Sequence, residues 1–398
     1  MTVTRKRGNF RNMIEEGAKG YQICSRCIYD TKVPKITFDV NGVCNYCEMI
    51  DNLKEMYHTG TPEGEANFQE IVQEIKKNGK NKKYDCIVGV SGGTDSSYMI
   101  VKALEWGLRP LAVHYDNTWN TAIATENIRK VLGKLKVDLY THVVDNKESD
   151  DIFRSFFLAN VPEIDGPTDI ALAETMYRAA AKFGVKYVLE GHSFIAEGVS
   201  PLSTAYVDGG YIESIHKKYG KMKMKTFPNM NFMSFMKWIL LYRIKKIRPL
   251  WYISYSKQAA REMLENEFGW QYYGGHHLEN RMTAFNHSVY FPKKFNIDQR
   301  NNTLSALVRA GLKDRKEAIE EYASPPHVES ELVDYFKKRL GFSNQEYDVI
   351  MSGPRKNFRD YKTYKRRFER LRPLFFILAK ASLVPMSFYI KYTSKSEM

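Results

Sequence analysis

Apolar runs alternate with helical patterns over residues 83–200 of this 398-residue chain. Four runs have the length and composition of strands, and helical repeats of apolar residues separate them: CIVGV, PLAVHY, VDLYTHVV and VKYVLEG. Strands joined by helices in this way pair in parallel, and helices then cover both faces of the sheet. The pattern predicts an α/β domain whose ligands bind at the carboxyl ends of the strands.

Outside this region the alternation weakens, and the chain divides into further units. Residues after about Glu197 are mainly helical, with aromatic-rich loops. In chain order we predict a mobile N-terminus (1–20), a small ribbon (21–50), a helical linker (51–82), the α/β domain (83–200), a helical substrate-binding region (201–330) and a basic helical C-terminal segment (331–398).

The first predicted strand ends in a polar loop that leads directly into a helical pattern. Two glycines allow a sharp turn and a close approach to a ligand, and a helix N-terminus favours an anion. No lysine follows the glycines, which excludes a GxxxxGK[ST] loop. The carboxylate of Asp95 would repel a phosphate unless a divalent cation lay between them, so the loop implies that Asp95 binds Mg²⁺. The alternative is a Gly-Gly turn with a helix cap. The predicted phosphate-binding residues are Ser91, Gly92, Gly93, Asp95, Ser96 and Ser97.

Polar residues also stand where the later strands end. The second strand ends at His114-Tyr115-Asp116-Asn117, and the fourth ends at Glu190-Gly191-His192. A polar residue in such a place is often only a helix cap. The triplet Pro167-Thr168-Asp169 precedes a helix, so Thr168 and Asp169 are either its cap or ligand groups.

Four of the five cysteines form two CxxC pairs separated by sixteen residues: Cys24, Cys27, Cys44 and Cys47. This spacing is typical of a four-thiolate zinc site, and such a small ribbon depends on its metal for folding. Four protein ligands leave no open position, which favours a structural over a catalytic ion. Disulfides are the alternative in an oxidising compartment. We interpret Cys86, inside the first strand, as a core residue.

The net charge of +14 is concentrated in two segments. Ser214–Leu250 contains ten Lys and Arg and no acid, and Arg355–Met398 has a net charge of +9. Such segments suit nucleic acid, an anionic membrane face, or a nucleotide sugar and partner surface. Their aromatic residues suit stacking or interfacial insertion, and equally a packed helix. No leader or spanning stretch is evident, so we expect a cytoplasmic protein.

The segment Gly269–Gly311 is rich in Gly, His, Asn and basic residues. Its HHxE sequence lacks the spacing of a two-histidine metal site, so we predict that it binds a hydroxyl-rich substrate. The predicted substrate-binding residues here are His276, His277, Glu279 and Lys293. We predict that Lys294 and Arg300 are catalytic, because their positive charge would stabilise the departing pyrophosphate.

Several motifs together resemble the N-acetyl sugar amidotransferases of bacterial surface-glycan biosynthesis: CSRCIYDTKVPKITFDVNGVCNYC, VSGGTDSSY, GLRPLAVHYDNTWN, PTD and GWQYYGGHHLENRMTAFNHSVYFPKKFNIDQRNNTLSALV. The resemblance covers residues 21–325. It implies a pyrophosphate-loop, adenine nucleotide alpha hydrolase-like domain with an N-terminal zinc ribbon and a mainly helical C-terminal region. The chain departs from that pattern at Gly274-Gly275-His276-His277, where a lysine is expected before the second histidine, and at His192.

The resemblance also implies a reaction. ATP adenylates the oxygen of an acetamido group and releases pyrophosphate, and ammonia then displaces AMP to leave an acetamidino group. It places His114, Asp116 and the Gly191-His192 pair at the nucleotide. Ammonia would come from a separate HisH-like glutaminase, and the substrate would be a nucleotide sugar or a related precursor of lipopolysaccharide O-antigen. Our hypothesis for the two basic segments is that they dock the glutaminase, the phosphates of the nucleotide sugar or the anionic inner membrane, and we expect no nucleic-acid partner.

The main alternative is a tRNA thiolase, which shares the ribbon, the loop and the basic charge. Thiolation requires a cysteine that carries sulfur or cysteines that hold an iron–sulfur cluster, yet no cysteine follows Cys86 in the sequence. A non-catalytic adaptor that binds nucleic acid or membrane is a third hypothesis, and it leaves the phosphate loop without a purpose.

Overall fold

The computed structural model describes residues 20–199, 201, 205–275 and 278–395. The first 19 residues of the predicted mobile N-terminus lie outside this range, as do His276 and His277. The strands are β1 (Cys86–Gly89), β2 (Pro110–Asp116), β3 (Leu139–Val143), β4 (Tyr187–Leu189) and β5 (Lys245–Ile247).

Helices account for most of the remaining described chain. The α-helices are α1 (Asn45–Tyr57), α2 (Pro62–Gly79), α3 (Thr94–Glu105), α4 (Ala122–Leu135), α5 (Asn146–Leu158), α6 (Gly166–Lys182), α7 (Gly209–Tyr219), α8 (Phe232–Met236), α9 (Lys257–Phe268), α10 (Arg281–Phe285), α11 (Arg300–Arg309), α12 (Arg315–Ala323), α13 (Leu332–Leu340), α14 (Asn344–Ser352), α15 (Lys365–Arg370), α16 (Arg372–Lys380) and α17 (Met386–Thr393). Two π-helices span Lys237–Leu241 and Asn286–Phe295, and 3₁₀ turns span Pro249–Trp251 and Phe358–Asp360.

One parallel sheet in the order β3-β2-β1-β4-β5 organises the molecule. This confirms the predicted α/β class. β5 was not predicted, because its three residues lie in a basic stretch that lacks an apolar run. The chain runs from β1 outward through β2 to β3 and then returns to the other side of β1. The end of β1 is therefore the point where a crevice opens in such sheets.

Alternate residues of β1 pack into different layers. Ile87 belongs to a cluster with residues of β2, β4 and α6, and Val88 to a cluster with residues of α2, α3 and α4. Cys86 lies in the second cluster and is fully buried, so the predicted core role of this thiol is confirmed.

The C-terminal helices cover the α6 side of the sheet. Phe235 and Trp238 pack into the same cluster as Phe368 and Phe375, and all four are buried. These aromatic side chains of the two basic segments therefore belong to the core, as the packed-helix alternative required. Within the described ranges, no helix is long and apolar enough to cross a membrane.

The ribbon docks against the helical region. Bridges Ile23–Asp30 and Phe38–Cys44 form its short antiparallel pairs. Ile28 packs with Leu304 of α11 and Ala318 of α12. The Arg315 guanidinium donates to the carbonyls of Cys24 and Cys27, at 2.7 and 3.0 Å, so the ribbon is tied to the start of α12.

Glu190, directly after β4, joins the sheet edge to the C-terminal helices. It accepts hydrogen bonds from Lys246 Nζ (2.7 Å) and Arg248 Nε (3.1 Å), and Arg248 also donates to Ser387 of α17. Burial opposes ionisation, but the two cations prevail and lower the pKa of Glu190 to about 2.

We predict that Glu190→Gln destabilises the protein by about 3 kcal/mol at pH 7, because it leaves two shielded cations without a counter-charge. Since the folded-state pKa lies below the unfolded one, this stabilisation is present above about pH 4.5 and is lost as the pH falls towards 2. Urea denaturation of both proteins at pH 7 and pH 3 checks it. A stability difference that does not shrink on acidification would contradict the assignment.

Candidate nucleotide and metal sites

The loop between β1 and α3 has a backbone that only glycine permits. Gly92 has φ +83°, and a Cβ atom there would lie 2.2 Å from the carbonyl oxygen of Ala124. Gly93 is the N-cap of α3, and its amide precedes the free N–H groups of that helix. A Cβ atom on Gly191 would lie 2.8 Å from the carbonyl oxygen of Asp95, so the predicted glycine after β4 packs directly on this loop.

The loop serines hold its shape. The Gly93 amide donates to Ser91 Oγ at 3.3 Å, the Ser91 amide donates to Ser96 Oγ at 3.3 Å, and Ser96 Oγ donates to the Gly93 carbonyl at 3.2 Å. Ser97 is buried, and its amide donates to the Gly93 carbonyl at 3.1 Å. The loop is thus organised in advance as an anion cradle at a helix N-terminus.

Asp95 lies in the loop beside a lysine that the sequence did not reveal. Lys257 Nζ contacts Asp95 Oδ2 at 2.7 Å and Glu197 Oε1 at 3.2 Å, and the Tyr255 hydroxyl donates to Asp95 Oδ1. Burial raises the pKa of Asp95, and the Lys257 ammonium opposes that shift. Burial lowers the pKa of Lys257, but the carboxylates of Asp95 and Glu197 raise it by more. The side chain of Lys257 is therefore positively charged in the site.

His192 stands at the same edge of the sheet. Its Nδ1 accepts a hydrogen bond from Trp251 Nε1 at 3.2 Å, and its Nε2 lies 3.9 Å from Glu197. Burial and the Arg248 guanidinium lower the pKa of His192 to about 4. The imidazole is therefore neutral at pH 7 and offers hydrogen bonds rather than charge to a ligand.

His114 and Asp116, in the last three residues of β2, hold the backbone next to the loop and the turn that follows the strand. His114 Nδ1 lies 2.7 Å from the carbonyl of Val90, and its Nε2 lies 3.2 Å from the Asn120 amide. Because the Asn120 amide donates, Nδ1 carries the proton and donates to Val90, the residue before the loop. Asp116 accepts from the Thr118 amide at 2.7 Å, which fixes a turn with φ +62°.

The predicted substrate segment reaches the loop through Glu279. Asn280 bridges to Asn120, and the Glu279 carbonyl accepts from the Thr121 amide at 2.9 Å. This pairing places Glu279 Oε1 3.4 Å from Ser91 Oγ. Of the predicted substrate residues in this segment, the structure brings Glu279 to the phosphate loop, and Lys293 is exposed to solvent on the second π-helix.

A cavity of about 230 Å³ opens beside the first turn of α6. Thr168 and Asp169 lie within that turn, whose N-cap residue is Asp165. Thr168 Oγ1 accepts from Asn117, directly after β2, at 3.3 Å, which ties the turn to the sheet edge. Asp169 lines the cavity with acidic and basic neighbours: Glu163, Asp165, Arg359, Lys365 and Lys391.

The two predicted catalytic cations make structural contacts elsewhere, which corrects their assignment. Lys294 Nζ donates to Asn160 Oδ1 at 2.6 Å and to carbonyls at the end of α14. Arg300 pairs with Asp298 at 2.6 Å and donates to carbonyls at the end of α12, that of Ser324 at 2.7 Å. Each side chain neutralises carbonyl groups at a helix end, which is a common use of a cation. Lys257 takes their place as the cation at the loop.

The four ribbon thiols converge on one point. Their ligand atoms all lie within 4.8 Å of one another, and Sγ–Sγ separations are 3.9 Å (Cys24–Cys47), 3.8 Å (Cys27–Cys44) and 3.7 Å (Cys44–Cys47). A tetrahedral ion with bonds of about 2.3 Å to sulfur requires separations of about 3.8 Å. The donor set fits a single metal ion held by four thiolates, and the cysteines are free thiols rather than disulfides.

The metal ribbon connects to the phosphate loop through α11. The Tyr29 hydroxyl, next to the ribbon core, donates to Asn302 Oδ1 at 2.5 Å. Asn302 Nδ2 in turn donates to the carbonyl of Glu197 at 2.9 Å. The Glu197 carboxylate holds Lys257, and Lys257 holds Asp95. The ribbon thereby supports the residues that surround Asp95.

These features define a parallel-sheet α/β fold with a four-cysteine cluster and a helical C-terminal region. Residues 279–373 match the family model described as LPS biosynthesis protein WbpG-like, C-terminal domain. No curated protein matches the chain significantly.

Solved structures show distant likenesses. NMN synthetase from Francisella tularensis is 14% identical to this chain, with a TM-score of 0.30. The alignment covers 70% of this chain and 93% of that one. NH3-dependent NAD synthetase from Campylobacter jejuni is 12% identical, with a TM-score of 0.30 and coverages of 72% and 96%. U34-tRNA thiolase NcsA from Methanococcus maripaludis, with its [4Fe-4S] cluster, is 14% identical, with a TM-score of 0.29 and coverages of 77% and 89%.

We predict energetic coupling between Asp95 and Lys257. Asp95→Asn should destabilise the protein because it removes one of the two carboxylates that hold Lys257, and Lys257→Met should do so because it takes the cation from both Asp95 and Glu197. The double variant should lose less than the sum by about 1 kcal/mol. Urea denaturation supplies the four values. Lys130→Met is the control, since its ammonium binds the Gly269 carbonyl at 2.8 Å and should show no coupling to Asp95→Asn. Strict additivity for Lys257 would contradict the ion pair.

We also predict about one bound metal ion per chain on the four thiolates. Cys24→Ser should release the metal and lower the melting temperature strongly, because the ribbon cannot fold without it. Cys86→Ser is the control and should keep the full metal content, since that thiol lies in β1. Elemental mass spectrometry and thermal melting give both quantities. Stoichiometric metal in Cys24→Ser would exclude this site.

Proposed function

We propose that this chain is an ATP-dependent amidotransferase that converts the acetamido group of a nucleotide-linked or related bacterial sugar into an acetamidino group. One observation carries the proposal. Glu279, the first residue of the segment that matches the LPS-biosynthesis model, lies 3.4 Å from Ser91 of the phosphate loop. This contact supports a single site to which the LPS-biosynthesis-like segment and the loop after β1 both contribute.

The proposed reaction balances without a protein nucleophile. The acetamido oxygen attacks the α-phosphorus of ATP, and pyrophosphate leaves. Ammonia then attacks the activated carbon, and AMP departs with the former amide oxygen. The product amidine gains the nitrogen of ammonia and binds a proton. The work of the protein is to position the reactants and to stabilise developing charge.

The residues around the loop have distinct proposed roles. The N–H groups of the loop and the start of α3 hold the departing pyrophosphate. Lys257 supplies positive charge beside it, and Asp95 holds Mg²⁺, which when bound neutralises phosphate charge. His192 is neutral and donates or accepts a hydrogen bond. The cavity at α6, with Asp169 and Lys391 in its wall, receives the sugar.

We assign the ribbon ion as zinc with a structural role, because four thiolates at tetrahedral separations leave no open ligand position. This assignment also weighs against a tRNA thiolase. An iron–sulfur cluster would stand between its cysteines and hold their sulfurs farther apart than the 3.7–3.9 Å found here. Cys86 is fully buried, and burial raises the pKa of its thiol, so it does not carry sulfur to a substrate.

We infer that a separate subunit supplies the ammonia. A glutaminase of the cysteine type needs a reactive thiolate, and none of the five cysteines in the sequence supplies one. We therefore propose a HisH-like glutaminase subunit as the partner. The enzyme would act in the cytoplasm, where ATP and nucleotide sugars are available, and it has no proposed nucleic-acid partner.

The proposal predicts AMP and pyrophosphate as products when the protein is incubated with MgATP, ammonium and a panel of N-acetyl sugars. The converted sugar should lose mass by the difference between oxygen and NH and gain a positive charge. An ¹⁸O label in the acetamido group should appear in AMP. Mass spectrometry detects each product. ADP as the stoichiometric product would exclude the assignment.

Matched variants sharpen this test. Asp95→Ala should lower turnover at least about 100-fold, because it removes charge from the loop. Asp314→Ala, which removes an exposed N-cap carboxylate from α12, should leave turnover unchanged. Cys86→Ser should stay active, whereas a thiolase that depends on Cys86 would lose activity. Glutamine should replace ammonium only when a glutaminase subunit is added.

A further inference from the structure

Large apolar side chains project into solvent from two elements that contribute buried residues to the same hydrophobic cluster. Leu241, at the end of the first π-helix, is 76% exposed, and Ile377 of α16 is 64% exposed. Leu240 and Phe376 are exposed beside them. Contiguous exposed apolar groups mark interaction surfaces on proteins.

The opposite faces of these two elements are buried in the protein. Trp238 and Ile239 of the π-helix and Phe375 and Leu378 of α16 are buried in one hydrophobic cluster. Phe235, just before the π-helix, stacks on Phe375 with ring centroids 6.3 Å apart. The exposed side chains therefore stand on one rigid support.

Basic side chains flank these apolar groups. Lys237 Nζ lies 5.0 Å from the Trp238 ring centre, and Lys380 Nζ lies 5.7 Å from that of Phe376. The Arg372 guanidinium lies 5.8 Å from the Tyr389 ring centre. The sequence has no Asp or Glu in 214–250 or in 370–395, although Glu174 of α6 interacts electrostatically with Lys237.

We propose that this apolar–basic face, formed by Leu241, Phe376 and Ile377 with flanking Lys237, Arg372 and Lys380, binds the surface of an anionic lipid bilayer. Apolar side chains enter the boundary between headgroups and acyl chains, and lysine and arginine pair with anionic headgroups. The contact is peripheral, because α16 has nine residues and lies along the surface. The inference is independent of the proposed reaction.

Charge and side-chain type favour a bilayer over other occupants. The most exposed groups are aliphatic, whereas single-stranded nucleic acid is bound by aromatic rings and cations. A second copy of the chain on a two-fold axis would bring the same cations against each other. An anionic bilayer complements both the apolar and the basic parts of the face.

A vesicle sedimentation assay with the full-length protein tests the proposal. One set of vesicles contains phosphatidylcholine alone, and in the other about a quarter of the lipid is phosphatidylglycerol. We expect binding to the anionic vesicles that weakens as salt rises, and little binding to the neutral ones. The double variant Leu241→Glu/Ile377→Glu should bind at least about tenfold more weakly. Val349→Glu on α14 is the matched control, because Val349 is 63% exposed, and it should bind as the wild type does.

A second variant changes only the charge, so that a loss of binding cannot be attributed to misfolding caused by the introduced glutamates. Lys237→Gln/Lys380→Gln leaves the apolar groups in place and should weaken binding to anionic vesicles by roughly 30-fold. Melting temperature and ammonium-driven turnover should stay unchanged in all variants.

Three results would overturn the proposal. They are absence of binding to anionic vesicles, equal binding by Leu241→Glu/Ile377→Glu and wild type, or an equal loss in Val349→Glu. A wild-type dimer that the double variant dissociates, without vesicle binding, would assign the face to a second copy.

Discussion

The close approach of the Gly92 backbone to the carbonyl of Ala124 is the constraint on which the site depends. It brings the loop after β1 against the start of α4, at the point where the strand order reverses. A side chain at Gly92 would push the loop away from α4 and misalign the N–H groups of α3. The sheet topology places the crevice, and this contact turns the free N–H groups at the start of α3 towards it.

Support for Asp95 comes from parts of the chain that are far apart in sequence. Lys257 and Glu197 surround its carboxylate, Asn302 holds the Glu197 backbone, and Tyr29 of the ribbon holds Asn302. Each link is short and directional, and together they explain why a metal ribbon stands next to a nucleotide loop. The four thiols converge in a ribbon that is too small to fold alone, and the ribbon contacts the helix α11 behind the site.

The sequence predicted what local patterns determine. Apolar runs and turn residues predicted four of the five strands, the loop and the cysteine cluster, because periodicity and ligand spacing are local properties. It did not predict β5 or Lys257. β5 is a short edge strand of the sequence KKI, and Lys257 acts through a contact 162 residues away in sequence from Asp95. Lys294 and Arg300 were assigned to the site by charge and neighbourhood, yet helix-end carbonyls hold both.

Net charge alone is a poor guide to which cations meet a ligand. In the first basic segment, Lys246 and Arg248 neutralise Glu190 inside the fold, while Lys237 remains on the surface beside exposed apolar groups. In the second segment, Lys365 is buried and caps the carbonyls of Tyr392 and Ser394. A lysine that satisfies a carboxylate or a helix end stabilises the fold and contributes little field outside it. The external field of this chain therefore arises from fewer groups than its composition suggests, and these lie where the helices present them to solvent.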